Sequence, residues 1–362
     1  MTAAAERLQP GLYHGAGRRP PPAYRLLLVN VRAGTPPAAA QDALHRVLAS
    51  LDGTLAEAPD LYEGTEALVG YGRRLFAHEA RLTDVPRPHH LAFLDQRVAA
   101  FPSLPWAREP PSNRAEADIA LQLTGPNDAA VGCAAVEVAD RIAADELPLD
   151  PVGLFSGFAR PDGRGWLGFH DGVSNLPSEQ RPEAVTAMGE PAWMAGGTYM
   201  TFLRLRIDLR RWRALPLEHQ EKLVGRSRDS GRPLDALGGE EAFRDPPETT
   251  SRELELSHVH RANQSRASPA APAALRIYRQ GYDFLDAIAP DGPELGLNFI
   301  SFQADLATVQ HLLHLPGWLG DVNFGGPPGS PSFITLADGG FYAVPPRAEP
   351  FPGACLFTKG SR

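Results

Sequence analysis

The sequence predicts an α+β fold in which the split βαβ unit, known as the ferredoxin-like arrangement, occurs twice. Strand and helix patterns follow the order β-α-β-β-α-β in the first half of the chain and again in the second half. Two strand–cap–helix segments, DIALQLTGPNDAAV and LNFISFQADLATV, stand at matching places in the two halves. The length of 362 residues also favours about two domains. We therefore expect two antiparallel four-stranded sheets with helices.

In the first half, runs of β-compatible apolar residues predict four strands. They cover residues Ala23–Val31, 67–76, 118–124 and 152–158. Thr35 as N-cap and Pro36 in the first turn predict a helix start, and an apolar stripe with i, i+3, i+4, i+7 spacing extends this helix to a stop at Gly53. A turn at 125–127 starts a second helix that ends near Ala144.

In the second half, the predicted strands cover residues 199–207, 275–284, 297–303 and 340–344. After the first of these strands, a helical segment is interrupted at Pro216 and ends at Gly225. Asp305 is the predicted N-cap of a further helix that reaches Leu315. The order of elements, rather than strong sequence identity, indicates the duplication.

These elements divide the chain into an N-terminal domain of residues 1–175 and a C-terminal domain of residues 176–362. A Gly- and Trp-bearing connector at 160–195 and a polar loop at 226–255 lie outside the repeated pattern. Loops of this length in compact proteins usually carry a function. The sequence therefore directs the search for a site to these two segments.

Composition excludes several classes of function. The net charge of -8 disfavours non-specific binding to nucleic acid or to an anionic membrane. Cys133 and Cys355 form no CxxC or CxxCH motif, which excludes a thiolate zinc site, a Cys-ligated iron–sulfur cluster and a covalently attached c-type haem. There is no apolar run of about 18 residues, and three prolines follow the Arg18–Arg19 pair. We expect a cytoplasmic protein without a signal peptide or twin-arginine leader.

Common catalytic motifs are absent from the sequence: GxGxxG, GxxxxGK[ST], HExxH and GxSxG. The histidines leave one metal hypothesis open. His258 and His260 form an HxH pair that would share one face of a strand, and His311 and His314 form an HxxH pair on a predicted helix. A mononuclear site of four histidines is one interpretation, although no carboxylate is spaced to join either pair.

Two further segments suggest chemistry. In GFHDGVSN, after Trp166, Asp171 stands between glycines, and in RIYRQGY, Arg279 stands in an otherwise apolar stretch. A turn with an Asp cap and a salt bridge at a strand end are the structural interpretations of these residues. An unpaired arginine would be costly to bury, so a partner is expected for Arg279.

With SHVHRAN between them, these segments make the chain resemble the dye-decolorising peroxidases, which are haem b enzymes built as two ferredoxin-like domains. The matching segments, in order, are GFHDGVSN (the GxxDG motif), GGTYMTFLRLRIDLRRW, GRSRDSGRPL, SHVHRAN, RIYRQGY, LNFISFQAD and GGFYAVPP. The resemblance implies one non-covalent haem b per chain, held mainly by the C-terminal domain. It implies reduction of hydrogen peroxide through compound I, oxidation of an organic reductant, and self-association into a homo-oligomer. A haem carrier or dechelating protein on the same fold is the alternative.

The resemblance also implies a role for each matched residue. His258 would be the axial ligand of the haem iron, with His260 as a competing ligand if the register shifts by two. Asp171 would act as general base and then general acid on peroxide, while Arg279 would stabilise the charge on the leaving oxygen and contact the haem. An aspartate with the usual pKa of about 3.9 stays ionised in mild acid, so we expect activity that favours acidic pH.

Other residues receive secondary roles from the resemblance. Phe299 would form an apolar cover over the distal face of the haem, and His170 and Arg261 would contact its propionates. The net charge suggests that cationic or neutral reductants approach more easily than anionic ones. Aromatic residues that could relay electrons to a surface site are Trp106, Trp166, Trp193, Trp212, Trp318 and Tyr282.

The chain departs from the family pattern at one point. Many members have an acid before the last strand that hydrogen-bonds the axial histidine, whereas here Ser332 stands at that register and Asp338 is displaced towards the turn. A weaker partner would make His258 a weaker ligand and raise the reduction potential of the iron, unless another acid substitutes.

Overall fold

The computed structural model describes residues 6–12, 14, 19–77, 82–88, 91, 104, 107, 111–173, 175–189, 191–235, 252–264, 277–290, 292–315, 318–319, 324 and 332–357. Within this part of the chain there are eight strands, four in each half. The strands are β1 (Ala23–Val31), β2 (Glu66–Gly72), β3 (Ile119–Gly125), β4 (Leu149–Phe158), β5 (Thr198–Ile207), β6 (Tyr278–Ala289), β7 (Gly292–Gln303) and β8 (Ile334–Val344).

The longer helices of the described residues follow the predicted order. They are α1 (Pro37–Glu57), α2 (Asp128–Ala144), α3 (Leu209–Ala214), α4 (Leu217–Val224), α5 (His258–Gln264) and α6 (Leu306–His314). Shorter helical segments are Pro59–Tyr62, Arg73–Phe76, Asn113–Ala115, Arg181–Val185, Ala192–Met194, Arg252–Glu255 and Ala354–Phe357. No helix among the described residues is both long enough and apolar enough to cross a membrane.

The strands confirm the duplicated ferredoxin-like fold. The N-terminal sheet has the order β4-β1-β3-β2 and the C-terminal sheet has the order β8-β5-β7-β6, so each half has the same 4-1-3-2 arrangement of its own strands. All pairings are antiparallel. The sheets meet edge to edge, where β2 pairs with β8 and β4 pairs with β6, and this closes the barrel.

Alternation of side chains along the strands creates two kinds of surface. Inward-facing residues such as Tyr24, Phe202, Tyr282 and Tyr342 form an apolar core between the two sheets. The outer face of the N-terminal sheet is buried beneath α1 and α2. The outer face of the C-terminal sheet contributes to a third cluster that includes Phe299 and residues of the short helices. This last layer contains the candidate site.

Some boundaries differ from those predicted. The strand predicted at 67–76 ends at Gly72, where a helical turn takes over. Helix α1 continues past Gly53, and the Thr35 hydroxyl donates to the Arg32 carbonyl instead of capping this helix. The predicted cap at Asp305 is confirmed, since its carboxylate accepts from the Ala307 amide at 2.7 Å. The helix predicted after β5 breaks and ends where expected, as α3 and α4.

Candidate functional site

The GFHDG segment forms a tight turn that presents Asp171 towards the C-terminal sheet. The Asp171 amide donates to the Gly163 carbonyl at 2.9 Å, and Arg164 pairs with His170 in an antiparallel bridge. The Asp171 carboxylate accepts from the Gly172 amide at 2.7 Å, and Gly172 has a φ of 75°. Glycine adopts this left-handed conformation readily, so the residue after Asp171 suits the turn.

Asn175 fastens the connector to strand β6. Its side-chain amide donates to the Arg279 carbonyl at 2.7 Å, and its side-chain oxygen accepts from the Arg279 amide at 3.0 Å. Next to this clamp, a Cβ atom on Gly281 would lie 2.6 Å from an Asp171 carboxylate oxygen. The glycine of RIYRQGY therefore allows the Asp171 carboxylate to rest directly on the β6 backbone.

Strand β6 explains how an arginine fits in an apolar stretch. Tyr278 and Tyr282 face the core between the sheets, so Arg279 and Gly281 face outward. Burial lowers the pKa of the Arg279 guanidinium, and the nearby Asp171 carboxylate opposes this shift. Asp171, on the connector, is thus a nearby opposite charge for Arg279.

His258 is the first residue of α5. Its Nδ1 is hydrogen-bonded to the Trp318 carbonyl. Burial lowers the pKa of His258 to about 4; the Trp318 carbonyl opposes this shift, while the charges of Arg279 and Arg226 add to it. The Asp171 carboxylate also acts on this pKa, in the raising direction. The imidazole is therefore neutral at physiological pH.

Asp171 and Arg279 lie on the same outer side of strand β6, since Asp171 rests beside Gly281, two residues after Arg279, and both charges act on the pKa of His258. Asp171 is exposed, and Arg279 and His258 are half-buried. Phe299 pairs with Gly281 across the sheet, and its ring meets the Trp318 ring edge-on at 5.8 Å between centroids. This position makes Phe299 part of the apolar lining.

The secondary candidates occupy different positions. His170 is half-exposed, with Nε2 3.2 Å from the Asp229 carbonyl oxygen in the neighbouring loop. Arg261 is one helical turn after His258 on α5, and so on the same side of the helix. His260 is buried, with Nε2 3.4 Å from an Asp235 carboxylate oxygen.

The hydrogen bond of the His258 Nδ1 involves neither Ser332 nor Asp338, the two residues considered at the departure from the family pattern. Asp338 is buried in β8, where it accepts from the Ser112 hydroxyl and from the Ala115 amide at 2.9 Å. It therefore joins the two halves of the chain instead of contacting His258. Where a carboxylate partner was expected, His258 has a peptide carbonyl, that of Trp318.

Two residues near the site were missed by the sequence reasoning. Arg226 lies within the matched segment GRSRDSGRPL, is buried, and donates to the Gly231 carbonyl at 2.9 Å. Asp283 is two residues beyond Gly281 on the same face of β6, and burial raises its pKa to about 7. Arg279, Gly281 and Asp283 stand at alternate positions of one strand and therefore share a face. This spacing was the sequence signal that could have identified Asp283.

The four-histidine metal hypothesis fails in the described part of the chain, which holds no cluster of three or more His, Cys, Asp or Glu residues arranged for a metal ion. His258 and His260 lie on a helix rather than a strand, so they do not share one face. The His314 Nδ1 is hydrogen-bonded to the Gln310 carbonyl at 2.8 Å.

The aromatic candidates also separate in space. Tyr282 is enclosed between the sheets and stacks on Tyr24 at 4.6 Å between ring centroids. Trp318 is buried beside His258, with 6.3 Å between ring centroids. Trp166 and Trp212 both border an open cleft beside the connector. Trp106 lies outside the described residues.

A family model described as Dyp-type peroxidase, C-terminal, matches residues 162–349. This match includes most of the connector, the four strands of the C-terminal sheet and the candidate residues Asp171, His258, Arg279 and Phe299.

Two curated relatives illustrate the similarity. A dye-decolorizing peroxidase of Thermobifida fusca is 32% identical over 210 residues, which make up 53% of this chain and 47% of that protein. A deferrochelatase of Yersinia pestis is 30% identical over 163 residues, which make up 41% of this chain and 36% of that protein. The matched segments thus span less than half of each relative.

Solved structures extend the similarity to the fold of nearly the whole chain. A DyP-type peroxidase from Cellulomonas bogoriensis aligns over 97% of each chain with a TM-score of 0.75 and 19% identity. DtpA from Streptomyces lividans, in an oxyferrous complex, aligns over 99% of this chain and 100% of its own with a TM-score of 0.72 and 22% identity. At these identities the comparison concerns the fold alone.

Proposed function

The chain belongs to the Dyp-type peroxidase family, and from this we propose that it binds one haem b non-covalently, reduces hydrogen peroxide and oxidises an organic reductant. The observation that supports the proposal is that Asp171 and Arg279 lie beside each other over strand β6 and that both charges act on the imidazole of His258. A base, a cation and a neutral imidazole are the groups that a haem peroxidase requires around its iron.

The residues present fit a haem group. Because the His258 Nδ1 donates to the Trp318 carbonyl, the proton of the neutral imidazole is on Nδ1 and the lone pair of Nε2 is available to iron. The lowered pKa of His258, about 4, keeps the imidazole unprotonated over the physiological range. The bound haem would supply the redox-active iron at which the O–O bond of peroxide is cleaved.

Asp171 would transfer the proton of peroxide from one oxygen to the other. As a carboxylate, it would take the proton from the inner oxygen and return it to the outer oxygen, so that water leaves. Its contact with the Gly281 backbone and its hydrogen bond from the Gly172 amide limit its movement during the transfer. Arg279 would stabilise the negative charge that develops on the outer oxygen, since a guanidinium remains charged at every physiological pH.

Three further residues would help to retain the haem. Phe299 would pack against the distal face, in keeping with its position in the apolar lining. His170 and Arg261 remain predicted partners of the propionates. We add Arg226, because it is buried and its charge acts on the pKa of His258.

The test is the absorption spectrum of haem-reconstituted protein before and after addition of peroxide. We expect a Soret band that changes with peroxide in the wild type, and loss of haem retention in His258→Ala. His45→Ala serves as the control, because His45 lies on α1 in the N-terminal half, where its ring packs against Phe351. Equal haem retention by both variants, or a Soret band that does not respond to peroxide, would contradict the proposal.

A haem-dechelating activity is the second candidate, and the carbonyl partner of His258 favours it. A neutral carbonyl increases the basicity of the imidazole less than a carboxylate does, so iron would be held less firmly. The similarity to a deferrochelatase is consistent with this candidate. The measurement is the fluorescence of metal-free porphyrin after incubation of the haem-loaded protein with a reductant. Release of porphyrin without any response to peroxide would favour this function over the first.

A further inference from the structure

An open cleft of about 440 Å³ lies beside the connector, on its outer side. Asp171, Arg279 and His258 do not border it, so it is separate from the candidate site described above. Its lining comes from the connector, from α3 and α4 and from the loop after α4. Its lining includes Arg160, Arg164, Trp166, Trp212, Arg213 and Arg228.

The charge of this cleft is opposite to that of the whole chain. The protein has a net charge of -8, yet the cleft is lined by four arginines and one aspartate. Oriented positive charge within a concave surface concentrates anions, whatever the net charge of the protein. The cleft therefore favours an anionic ligand.

The four arginines differ in how far their charges are already compensated. Arg160 is paired with Asp162 at 2.5 Å, and Arg164 donates to the carbonyls of Gly168 and Asp229 and to that of Arg228. By contrast, the Arg228 guanidinium has a neutral acceptor, the Gln220 side chain, at 3.3 Å.

Arg213 is exposed and forms no ion pair within the described residues. Together with Arg228, it provides the charge that a bound anion would neutralise. A guanidinium offers two parallel N–H donors, which matches the two oxygens of a carboxylate.

The apolar part of the cleft includes two indole rings whose N–H groups are already occupied. The Trp166 Nε1 donates to the Phe284 carbonyl at 3.1 Å, and the Trp212 Nε1 donates to the Leu167 carbonyl at 3.0 Å. Trp212 is fully buried and forms the floor of the cleft, whereas Trp166 is half-buried, so the indole available to an aromatic ring is that of Trp166.

Trp212 also lies on the side of the cleft that is nearest to His258, with the Phe324 ring between them. Its ring centroid is 6.0 Å from that of Phe324, and the Phe324 centroid is 5.5 Å from that of His258. A ligand in the cleft would thus be separated from the iron ligand by two aromatic side chains. This proximity suits a molecule that gives up an electron to the haem site.

We propose that the cleft lined by Arg213, Arg228, Trp166 and Trp212 binds an aromatic carboxylate and is the site of an anionic reductant. The proposal rests on the peroxidase function proposed above. It revises the expectation from net charge that cationic or neutral reductants would approach more easily, because the local charge at the cleft has the opposite sign.

The test compares three probes of similar shape on haem-loaded protein: 4-hydroxybenzoate, its neutral amide 4-hydroxybenzamide, and cationic tyramine. Dissociation constants are measured by titration calorimetry without peroxide, so that binding is read separately from turnover. Because the protein is already loaded with haem in these titrations, binding of the haem carboxylates does not contribute to the measured signal. We expect the benzoate to bind about fivefold more tightly than the amide at low salt, and this preference to shrink as salt is added.

Arg213→Gln and Arg210→Gln form a matched pair for this test. Both residues are exposed arginines on α3, and both substitutions change the net charge equally, but Arg210 does not border the cleft. Arg213→Gln should weaken benzoate binding about threefold and leave amide binding unchanged, whereas Arg210→Gln should leave both unchanged. Arg228→Gln combined with Arg213→Gln should abolish the preference for the anion.

Equal affinity for benzoate and amide in the wild type would overturn the proposal, as would equal losses in Arg213→Gln and Arg210→Gln. The response of the Soret band to peroxide then separates the cleft proposal from the proposed peroxidase function. A Soret band that responds to peroxide without any benzoate preference means that the cleft proposal alone has failed. A benzoate preference without any response to peroxide means that the anion site stands and that its assignment to a reductant has failed together with the peroxidase function.

Discussion

The two halves of the molecule have the same strand order but use the outer faces of their sheets differently. The N-terminal sheet is covered by α1 and α2, helices of 21 and 17 residues, which pack through alanine, leucine and valine. The helices in the C-terminal half, α3 to α6, have 6, 8, 7 and 9 residues. The C-terminal sheet is thus covered by shorter helices than the N-terminal sheet, together with the connector.

The second strand of each half shows the consequence at the level of residues. In β2, the outer face carries Val69 and Tyr71, which are buried against the helices. In β6, the corresponding face carries Arg279, Gly281 and Asp283, next to the connector. One topology therefore supports a stabilising interface in one half and a charged site in the other, and the length of the covering helices makes the difference.

The largest expected effect of this difference concerns Asp171. Asp171→Asn retains the shape of the side chain but removes its ability to accept and return a proton, so the rate of peroxide consumption should fall by about 10²–10⁴-fold. Asp150→Asn is the matched change in the N-terminal half, where Asp150 forms a half-exposed ion pair with Arg32 at 3.0 Å. It should leave the rate unchanged.

The measurement is the second-order rate of the spectral change after mixing with peroxide, with equal haem content in both variants. A loss of less than about fivefold in Asp171→Asn would mean that another group moves the proton, because general acid–base catalysis contributes more than this.

The next effect concerns stability and its dependence on pH. Asp283 is buried beneath the connector, and burial is the main cause of the rise of its pKa to about 7; the Trp166 amide and the Arg160 charge oppose this rise, and the charges of Asp171 and Asp162 add to it. In the unfolded chain this carboxyl has the usual pKa of about 4. As pH rises from about 4 to 7, the unfolded state releases its proton before the folded state does, so the free energy of unfolding falls.

Asp283→Asn should remove this loss. At pH 8 the rise of about three pKa units corresponds to a loss of about 4 kcal/mol in the free energy of unfolding, as an upper limit. The variant should be more stable than the wild type by up to that amount. At pH 4 the two proteins should be equally stable. Chemical denaturation at both pH values, at matched haem content, measures this. Equal stability of variant and wild type at pH 8 would show that Asp283 does not carry the penalty.

The sequence was sufficient to predict the repeated order of strands and helices, because the apolar periodicity and the caps act locally. Asp305 and Gly225 are examples, since each acts on residues within a single turn of helix. The predicted cap at Thr35 was wrong, because Pro36 occupies the N-cap position and the Thr35 hydroxyl, one residue earlier, is hydrogen-bonded to the Arg32 carbonyl. Competition between local hydrogen bonds of similar strength is difficult to decide from sequence.

The composition of the site was predictable in part, and its electrostatics were not. Asp171, Arg279 and His258 could be singled out because motifs carry them, and the charges of the first two act on the pKa of the third. The carbonyl partner of His258 comes from Trp318, 60 residues away, where no side-chain type signals it. The raised pKa of Asp283 likewise depends on the connector packed over it, a contact between distant segments.

The smallest expected effect tests the equivalence of the two halves directly, at their matching helix caps. The Asn127 side chain accepts from the Ala130 amide at 2.9 Å at the start of α2, and the Asp305 side chain accepts from the Ala307 amide at 2.7 Å at the start of α6. Asn127→Ala and Asp305→Ala should each lower the free energy of unfolding by about 1 kcal/mol.

The two cap variants should nevertheless differ in their effect on the site. Helix α2 packs on the sealed core, so Asn127→Ala should leave haem retention unchanged. Helix α6 contributes Val309 and Leu313 to the same apolar cluster as Phe299 and Trp318, so loosening its first turn should lower haem retention in Asp305→Ala. Thermal unfolding and the rate of haem transfer to apomyoglobin measure the two quantities. Equal haem transfer rates in the two variants would mean that the halves are coupled rigidly enough for the difference in their covering helices not to matter.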